Sequence, residues 1–202
     1  MNKRTLELVL SLPRDLKMYN IEGIDGAGKT TQAKNVVSRL VKLGFPAVFA
    51  TNPSESALGK FLRENLMFLD PWQRISLFVI DMLDVISHQE EGSIIIWDRY
   101  TDSTMISNKE IKPKEASLWL KDLPLPRKTF FLDIKPNEIL QNRAVSLHDH
   151  SSDESWQKLK YKRYKELILK NPSNFHCIDG NIEKNKISQT ISEYILEDLR
   201  KI

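Results

Sequence analysis

Residues 21–32 read Ile-Glu-Gly-Ile-Asp-Gly-Ala-Gly-Lys-Thr-Thr-Gln, and the interpretation of the whole chain starts from this stretch. From Gly23 to Thr30 it has the spacing G-x-x-x-x-G-K-[ST]. Glycines lack a Cβ, so the backbone can turn tightly and aim its N–H groups at phosphate oxygens, where a helix dipole favours the same anion. The chain has 7 glycines in all, and three of them lie here. We therefore interpret the stretch as a loop that binds nucleotide phosphates.

The sequence around the loop has the required context. Residues 17–24 have the composition of a strand, and after the loop Val36 and Leu40 mark one face of a helix that Gly44 ends. Lys29 is expected to reach the outer phosphates of ATP and Thr30 to hold Mg²⁺. The predicted ATP-binding residues of the loop are Gly23, Ile24, Asp25, Gly26, Ala27, Gly28, Lys29, Thr30 and Thr31.

Along the rest of the chain, apolar segments of strand length alternate with helical patterns. This alternation predicts an α/β fold, a three-layer P-loop NTPase arrangement with about five parallel strands and helices on both faces. The predicted strands are 17–24, 46–51, 93–97, 128–134 and 175–179. We expect one domain over residues 1–202, with an N-terminal arm at 1–16 and a polar lid at 147–155.

The composition excludes several classes of protein. The chain has 202 residues, 41% of them hydrophobic, so it can form a core, and its net charge of only +3 does not indicate a nucleic-acid partner. No apolar run approaches the roughly 20 residues of a membrane-spanning helix. Cys177 is the only cysteine, which excludes an internal disulfide and favours a cytoplasmic location. It lies in a predicted strand, where we expect it to be buried.

A second phosphate-handling element follows the strand at 93–97. Asp98 comes at the end of this buried strand, where such folds place a carboxylate linked to Mg²⁺. Arg99 is expected to project into the crevice at the carboxyl ends of the strands. The alternative is a surface turn with an ion pair. Together with the loop, the two residues indicate phosphoryl transfer or nucleotide hydrolysis, and the residue types do not choose between them.

A basic run between residues 158 and 165 contains Lys158, Lys160, Lys162, Arg163 and Lys165. Its spacing predicts a helix, and we interpret the charges as a solvated helical face. Contact with a nucleic acid or a membrane is the less favoured alternative.

Three segments resemble the thymidylate kinase family of P-loop nucleoside monophosphate kinases. Residues 21–32 are similar to the opening signature of that family, and Asp98-Arg99-Tyr100 with Ser103 resembles its D-R-Y-x-x-S segment. Residues 130–136 followed by Arg143 resemble its F-L-D-x-x-P…R segment. The motifs occur in the family order over residues 17–202. The resemblance implies an enzyme that transfers a phosphoryl group from ATP to a pyrimidine nucleoside monophosphate.

The resemblance also implies residue roles. Asp25 corresponds to the residue that approaches the sugar 3′-hydroxyl of the acceptor, Arg63 to an arginine on the acceptor phosphate, and Phe78 to the aromatic that stacks on the base. Arg99 corresponds to the arginine between the two phosphates, and Lys29, Arg99 and Asp25 form the implied catalytic set. The remaining implied contacts are Thr104 at the base edge, Ser107 and Asn108 at the acceptor, and Arg143 at the ATP. Members of the family are commonly homodimers.

Several positions depart from the family pattern. Thr51-Asn52-Pro53 replaces Arg-Glu-Pro, and Met82 replaces an arginine that contacts the base. Ser107-Asn108 replaces Tyr-Gln, which leaves room for a 2′-hydroxyl, and the predicted lid has only Arg143 at its edge. Three of these changes, all except the one in the lid, are expected at the acceptor pocket, so they predict a kinase with shifted or relaxed acceptor choice. The alternatives are a kinase of another small acceptor and a non-catalytic nucleotide-binding protein.

Overall fold

All five predicted strands are present in the computed structural model, which describes Leu12, residues 16–142 and residues 153–201. The strands are β1 (Lys17–Glu22), β2 (Ala47–Thr51), β3 (Ile94–Asp98), β4 (Lys128–Asp133) and β5 (Phe175–Asp179). The helices in these residues are α1 (Lys29–Lys42), α2 (Ala57–Asn65), α3 (Pro71–Ser87), α4 (Thr101–Ile106), α5 (Pro113–Leu120), α6 (Pro136–Asn142), α7 (Glu154–Lys170) and α8 (Lys184–Leu199). Most of the predicted arm, Arg143 and residues 147–152 of the predicted lid lie outside the described residues.

The strands form one parallel sheet in the order β2-β3-β1-β4-β5, which confirms the predicted α/β P-loop fold. β1 lies in the centre, between β3 and β4. Ile21 of β1 is opposite Asp98 of β3 and Phe130 of β4. Because parallel strands all end at the same edge, the phosphate loop after β1 and the Asp98-Arg99 turn after β3 are neighbours there.

Helices cover both faces of the sheet, as the uninterrupted apolar sequence of β3 predicts. All five residues of β3 are buried. Ile94 and Ile96 belong to the apolar cluster that includes residues of α1 and α8. Ile95 and Trp97 point the opposite way and belong to the cluster that includes residues of α3. The alternation along one strand therefore places α1 and α8 on one face and α3 on the other.

Two features differ from the sequence predictions. The helices α4 and α5 were not predicted, since α4 has only six residues and is rich in Ser, Thr and Asp, which have low helix propensity. The prediction that Cys177 is buried is wrong, because β5 is an edge strand that pairs only with β4 and leaves the thiol exposed.

In the part of the chain that the structure describes, no helix is long and apolar enough to cross a membrane.

Candidate active site

The phosphate loop turns tightly between β1 and α1. Gly26 and Gly28 have φ angles of 81° and 90°, in the left-handed region where a side chain is strained. Gly28 is also the N-cap of α1, and its carbonyl accepts a 3.0 Å hydrogen bond from the N–H of Gln32. The two glycines thus give the loop the curvature that lets successive N–H groups face one anion.

Lys29 lies inside this loop. Its side chain is buried, and Nζ donates a 2.8 Å hydrogen bond to the carbonyl of Ile24. Burial and the nearby Arg99 lower the pKa of Lys29 to about 7, although Asp25 acts in the opposite direction. Binding of a phosphate close to Nζ would favour the charged ammonium, because an opposite charge at short range stabilises it.

Thr30 and Asp98 provide oxygen ligands of the kind Mg²⁺ prefers. The hydroxyl of Thr30 donates to Oδ2 of Asp98. The other oxygen, Oδ1, is buried and has no hydrogen-bond partner among the described residues. A buried carboxylate oxygen without a partner is costly unless a cation or water satisfies it. The donor set therefore fits a magnesium ion.

Asp25 lies at the centre of a cluster of three cations. Its Oδ1 accepts a 2.5 Å bond from Nη2 of Arg99, and its Oδ2 accepts from Nζ of Lys160 on α7. Gln157, also on α7, donates to the same Oδ2 at 2.9 Å. Burial alone would raise the pKa of Asp25, but Arg99, Lys160 and Lys29 hold it well below its usual range. Asp25 is therefore ionised and fixes the orientation of two cationic side chains.

A buried carboxylate positions Arg99. Glu22, the last residue of β1, is fully buried and accepts hydrogen bonds from the N–H of Tyr100 at 3.1 Å and from the hydroxyl of Tyr164 at 2.8 Å. Ser103 donates to it from both N–H and hydroxyl. Arg99 itself has a φ of 69°, the only positive φ of a non-glycine residue in the described part of the chain. The Glu22 network holds the turn in this conformation, which typically costs about 1–3 kcal/mol.

A cavity of about 310 Å³ opens beside this cluster. The implied acceptor residues that line it are Asp25, Phe78, Arg99, Thr104, Ser107 and Asn108. Phe78 comes from α3 and Thr104 from α4, so these two helices and the phosphate loop each contribute to the walls. Six residues chosen on the sequence are thus brought to one cavity. Asn108 also accepts hydrogen bonds from the N–H groups of Glu110 and Ile111, which hold its own loop.

One implied acceptor contact is not at the cavity. Arg63 is not among its lining residues; its guanidinium instead bonds to the carbonyl of Pro53 at 2.8 Å and to Glu55 at 3.2 Å. Met82, at the position where the family has an arginine, is fully buried in the apolar cluster between α3 and the sheet. The direction of these side chains depends on the rotation of α2 and α3, which a motif alone does not give.

Sequence reasoning missed two cations that do line the cavity, Arg74 and Lys160. Arg74 is one helical turn before Phe78 on α3, and this spacing was the available signal. It donates to the carbonyl of Leu69 at 2.8 Å and pairs with Glu110 at 3.4 Å. The interpretation of the basic run as a solvated face is wrong for Lys160, which is buried. The helix itself is confirmed as α7.

A second cavity, of about 440 Å³, also adjoins the phosphate loop. Ala27, Gly28 and Thr31 line it together with residues of the segment after β5, from Gly180 to Lys184. This segment had no recognisable motif. Asp25 of the loop lines the first cavity, and Ala27 and Gly28 line the second, so the loop adjoins both cavities. Such an arrangement can bring a donor and an acceptor together.

The parallel sheet, the phosphate loop with its buried lysine, and the two cavities that this loop lines define a P-loop phosphotransferase of the nucleoside monophosphate kinase class. Residues 21–191 match the family model described as thymidylate kinase. The chain therefore belongs to the thymidylate kinase family, whose members are nucleoside monophosphate kinases. This family supports phosphoryl transfer to thymidine monophosphate as the activity.

Individual thymidylate kinases from three organisms are also similar to this chain. The chain is 28% identical over 200 residues to the thymidylate kinase of Thermoanaerobacter sp. (strain X514). The matched region covers 89% of this chain and 97% of the relative. It is also 28% identical to the thymidylate kinase of Bifidobacterium longum subsp. infantis, over 90% of this chain and 86% of the relative. A probable thymidylate kinase of Methanosarcina acetivorans is 28% identical over 92% of this chain and 98% of the relative.

Proposed function

We propose that this chain uses ATP and Mg²⁺ to phosphorylate thymidine monophosphate or a closely related pyrimidine monophosphate, giving the diphosphate. The observation that carries the proposal is the phosphate loop itself, which lines both cavities, holds the buried Lys29 and is bonded through Thr30 to Asp98. Arg99 lines the first of these cavities. Transfer between two polyanions requires cations along the reaction axis, and these groups supply them.

Each residue has a proposed part in this reaction. The loop N–H groups and Lys29 bind the phosphates of ATP, while Thr30 and Asp98 would hold the magnesium ion. Bound Mg²⁺ neutralises charge on the transferred phosphoryl group. Arg99, held by Asp25, stabilises the charge that develops between donor and acceptor. Phe78 stacks on the base of the acceptor, and Thr104 contacts the base edge.

We also propose a shifted choice of acceptor. Ser107 lines the cavity where the family has a tyrosine, which leaves space for a ribose 2′-hydroxyl. Arg74 lines the same cavity and offers N–H donors, which favour a base with a carbonyl over one with an amino group at that edge. The proposed acceptors are therefore thymine and uracil monophosphates, with weak discrimination between deoxyribose and ribose.

An assay of ADP release tests the function. Thymidine, deoxyuridine, deoxycytidine, uridine and cytidine monophosphates and the purine monophosphates are compared as acceptors, with Lys29→Ala as the inactive reference. We expect thymine and uracil acceptors to be the best, and Lys29→Ala to lose activity by on the order of 10³ or more. Strong preference for thymidine monophosphate over deoxyuridine and uridine monophosphates would refute the shifted choice. ATP binding without ADP release for any acceptor would instead favour a non-catalytic nucleotide-binding protein.

The remaining proposals concern the assembly. Phe61, Met67, Phe68 and Ile80 are large apolar residues that are exposed on and around α2 and α3. We infer that this surface packs against a second copy of the chain, which gives a homodimer in the cytoplasm with one catalytic domain, residues 1–202, per copy. The assignment of residues 147–155 as a lid and of Arg143 to the ATP stays a prediction from the sequence.

A further inference from the structure

The lysines of α7 differ sharply in their surroundings. The side chains of Lys158 and Lys162 are 63% and 73% exposed, and each pairs with a glutamate one turn away on the same helix. The side chain of Lys160, between them, is only 5% exposed. It lines the acceptor cavity and reaches across to Asp25 in the phosphate loop. One lysine of the basic run therefore belongs to the site, while its neighbours are on the surface.

Burying a lysine at this place needs a reason beyond its bond to Asp25. Burial lowers the pKa of Lys160, although Asp25 raises it, so keeping the charge there has a cost. Arg99 already holds the other oxygen of Asp25 at 2.5 Å. Among the described residues that line the cavity, Arg74, Arg99 and Lys160 are cations and Asp25 is the one acid. The lining therefore has an excess of positive charge, which attracts an anion.

The acceptor phosphate is the anion that this reaction brings to the cavity. The two arginines that the family resemblance would place near this phosphate do not line the cavity. Arg63 is bonded to Pro53 and Glu55 and does not line the cavity. Thr51 stands where the family has an arginine. Among the described cations that line the cavity, Arg74 lies on α3 beside Phe78, which leaves Arg99 and Lys160 next to the phosphate loop.

We propose that Lys160 and Arg99 together bind the phosphate of the acceptor monophosphate, with Asp25 holding the two cations in place. The inference rests on the proposed function, because it assigns a ligand contact within that reaction. Ammonium and guanidinium groups make charge-assisted hydrogen bonds to phosphate, and Lys160 contributes its bond from α7, outside the phosphate loop and the Asp98-Arg99 turn. Its place between Asp25 and the cavity allows it to bind the phosphate while remaining close to the carboxylate.

Equilibrium binding of thymidine monophosphate and of thymidine, which lacks the phosphate, tests this role. The variant is Lys160→Met, which removes the charge and keeps a long side chain. We expect affinity for the monophosphate to fall about 10- to 100-fold, and affinity for thymidine to change less than about 3-fold. Lys162→Met, on the exposed face of α7, is the matched control and should leave both affinities unchanged.

Steady-state kinetics give the second readout. Lys160→Met should raise KM for the acceptor and leave KM for ATP close to that of the parent protein, and Lys160→Arg should restore part of the loss. An equal loss for thymidine and its monophosphate would overturn the proposal, because it would show that Lys160 only supports Asp25. An unchanged affinity for both would overturn it as well. If the parent protein binds none of the monophosphates, the proposed function fails together with the inference, whereas binding that is insensitive to Lys160 removes the inference alone.

Discussion

Two arginines that the family resemblance implies have different surroundings in the fold. Arg99 combines a left-handed backbone conformation with a 2.5 Å bond to Asp25. A strained backbone persists only where neighbouring structure holds it, and such residues cluster at functional sites. Arg63 instead pairs with Glu55, and its side chain is 37% exposed. An exposed ion pair of this kind contributes little to stability or orientation.

Arg99→Gln should lower kcat by about 10³-fold or more, because a cation beside the transferred phosphoryl group contributes on that scale. Arg63→Gln should change kcat by less than about 3-fold, since Arg63 itself does not line the cavity and forms an exposed ion pair with Glu55. Single-turnover measurements of diphosphate formation compare the two variants. A comparable loss of kcat in both variants would mean that Arg63 moves to the acceptor when the acceptor binds. That result would contradict the prediction that Arg63 takes no part in the reaction.

At the level of the elements, the site depends on how α4 is attached to the sheet. Asp102 of α4 accepts a 3.3 Å hydrogen bond from the hydroxyl of Thr129 on β4. Burial, together with the neighbouring Glu22, raises the pKa of Asp102 to about 7. In the unfolded chain the same carboxyl ionises near its ordinary pKa of 3.8. Between these two pH values the folded protein therefore binds more protons than the unfolded chain at this position.

The sign of the pH effect follows from this difference. The contribution of Asp102 to the free energy of unfolding is largest below its unfolded pKa and declines as the pH rises toward 7. Asp102→Asn keeps the acceptor for Thr129 and removes the ionisation, so the variant should lose this decline. We expect its Tm to exceed that of the parent protein at pH 8 by on the order of 5 °C, with a smaller gap at pH 5.

Thermal unfolding followed by circular dichroism between pH 5 and pH 8 measures the gap. Other carboxylates act in the opposite direction, so the quantity of interest is the difference between variant and parent at each pH. Asp122→Asn, at an exposed position, is the control. A gap that stays constant over the pH range would show that Asp102 is already ionised in the folded protein.

At the level of the whole molecule, apolar side chains remain uncovered outside the two cavities. Met67 and Phe68, between α2 and α3, are 72% and 77% exposed. Contiguous exposed apolar groups on a soluble chain usually mark a surface for another protein. The proposed second copy would remove them from water.

The parent protein should sediment as a dimer, and Phe68→Glu should give a monomer, because a carboxylate buried in an apolar interface has a high desolvation cost. Leu169→Glu is the matched control, since Leu169 is 79% exposed near the end of α7. Sedimentation velocity over a range of concentrations distinguishes the outcomes. A parent protein that is monomeric at all concentrations, or a Phe68→Glu variant that still dimerises, would contradict the proposed interface.

Local chemistry made much of this protein predictable from its sequence. Glycine spacing, the apolar runs of the strands and the acid after a buried strand each depend on neighbours within a few residues. The phosphate loop and the place of Asp98 and Arg99 therefore followed from residues 17–30 and 93–99, and the parallel sheet followed from the five apolar segments that alternate with helical patterns. The family resemblance added Phe78, Thr104 and Ser107, which the fold brings to one cavity.

Only the tertiary structure decided which long side chains enter the site. Arg63 and Lys160 both stand on helices in polar surroundings, and their sequence neighbours give no sign of which one is buried. The rotation of α2 and α7 against the sheet determines it, and that rotation depends on the packing of residues distant in sequence, such as Tyr164 against Glu22. The sequence thus determined the chemistry at the strand ends, whereas packing selected the cations around it, because burial is a property of the whole fold.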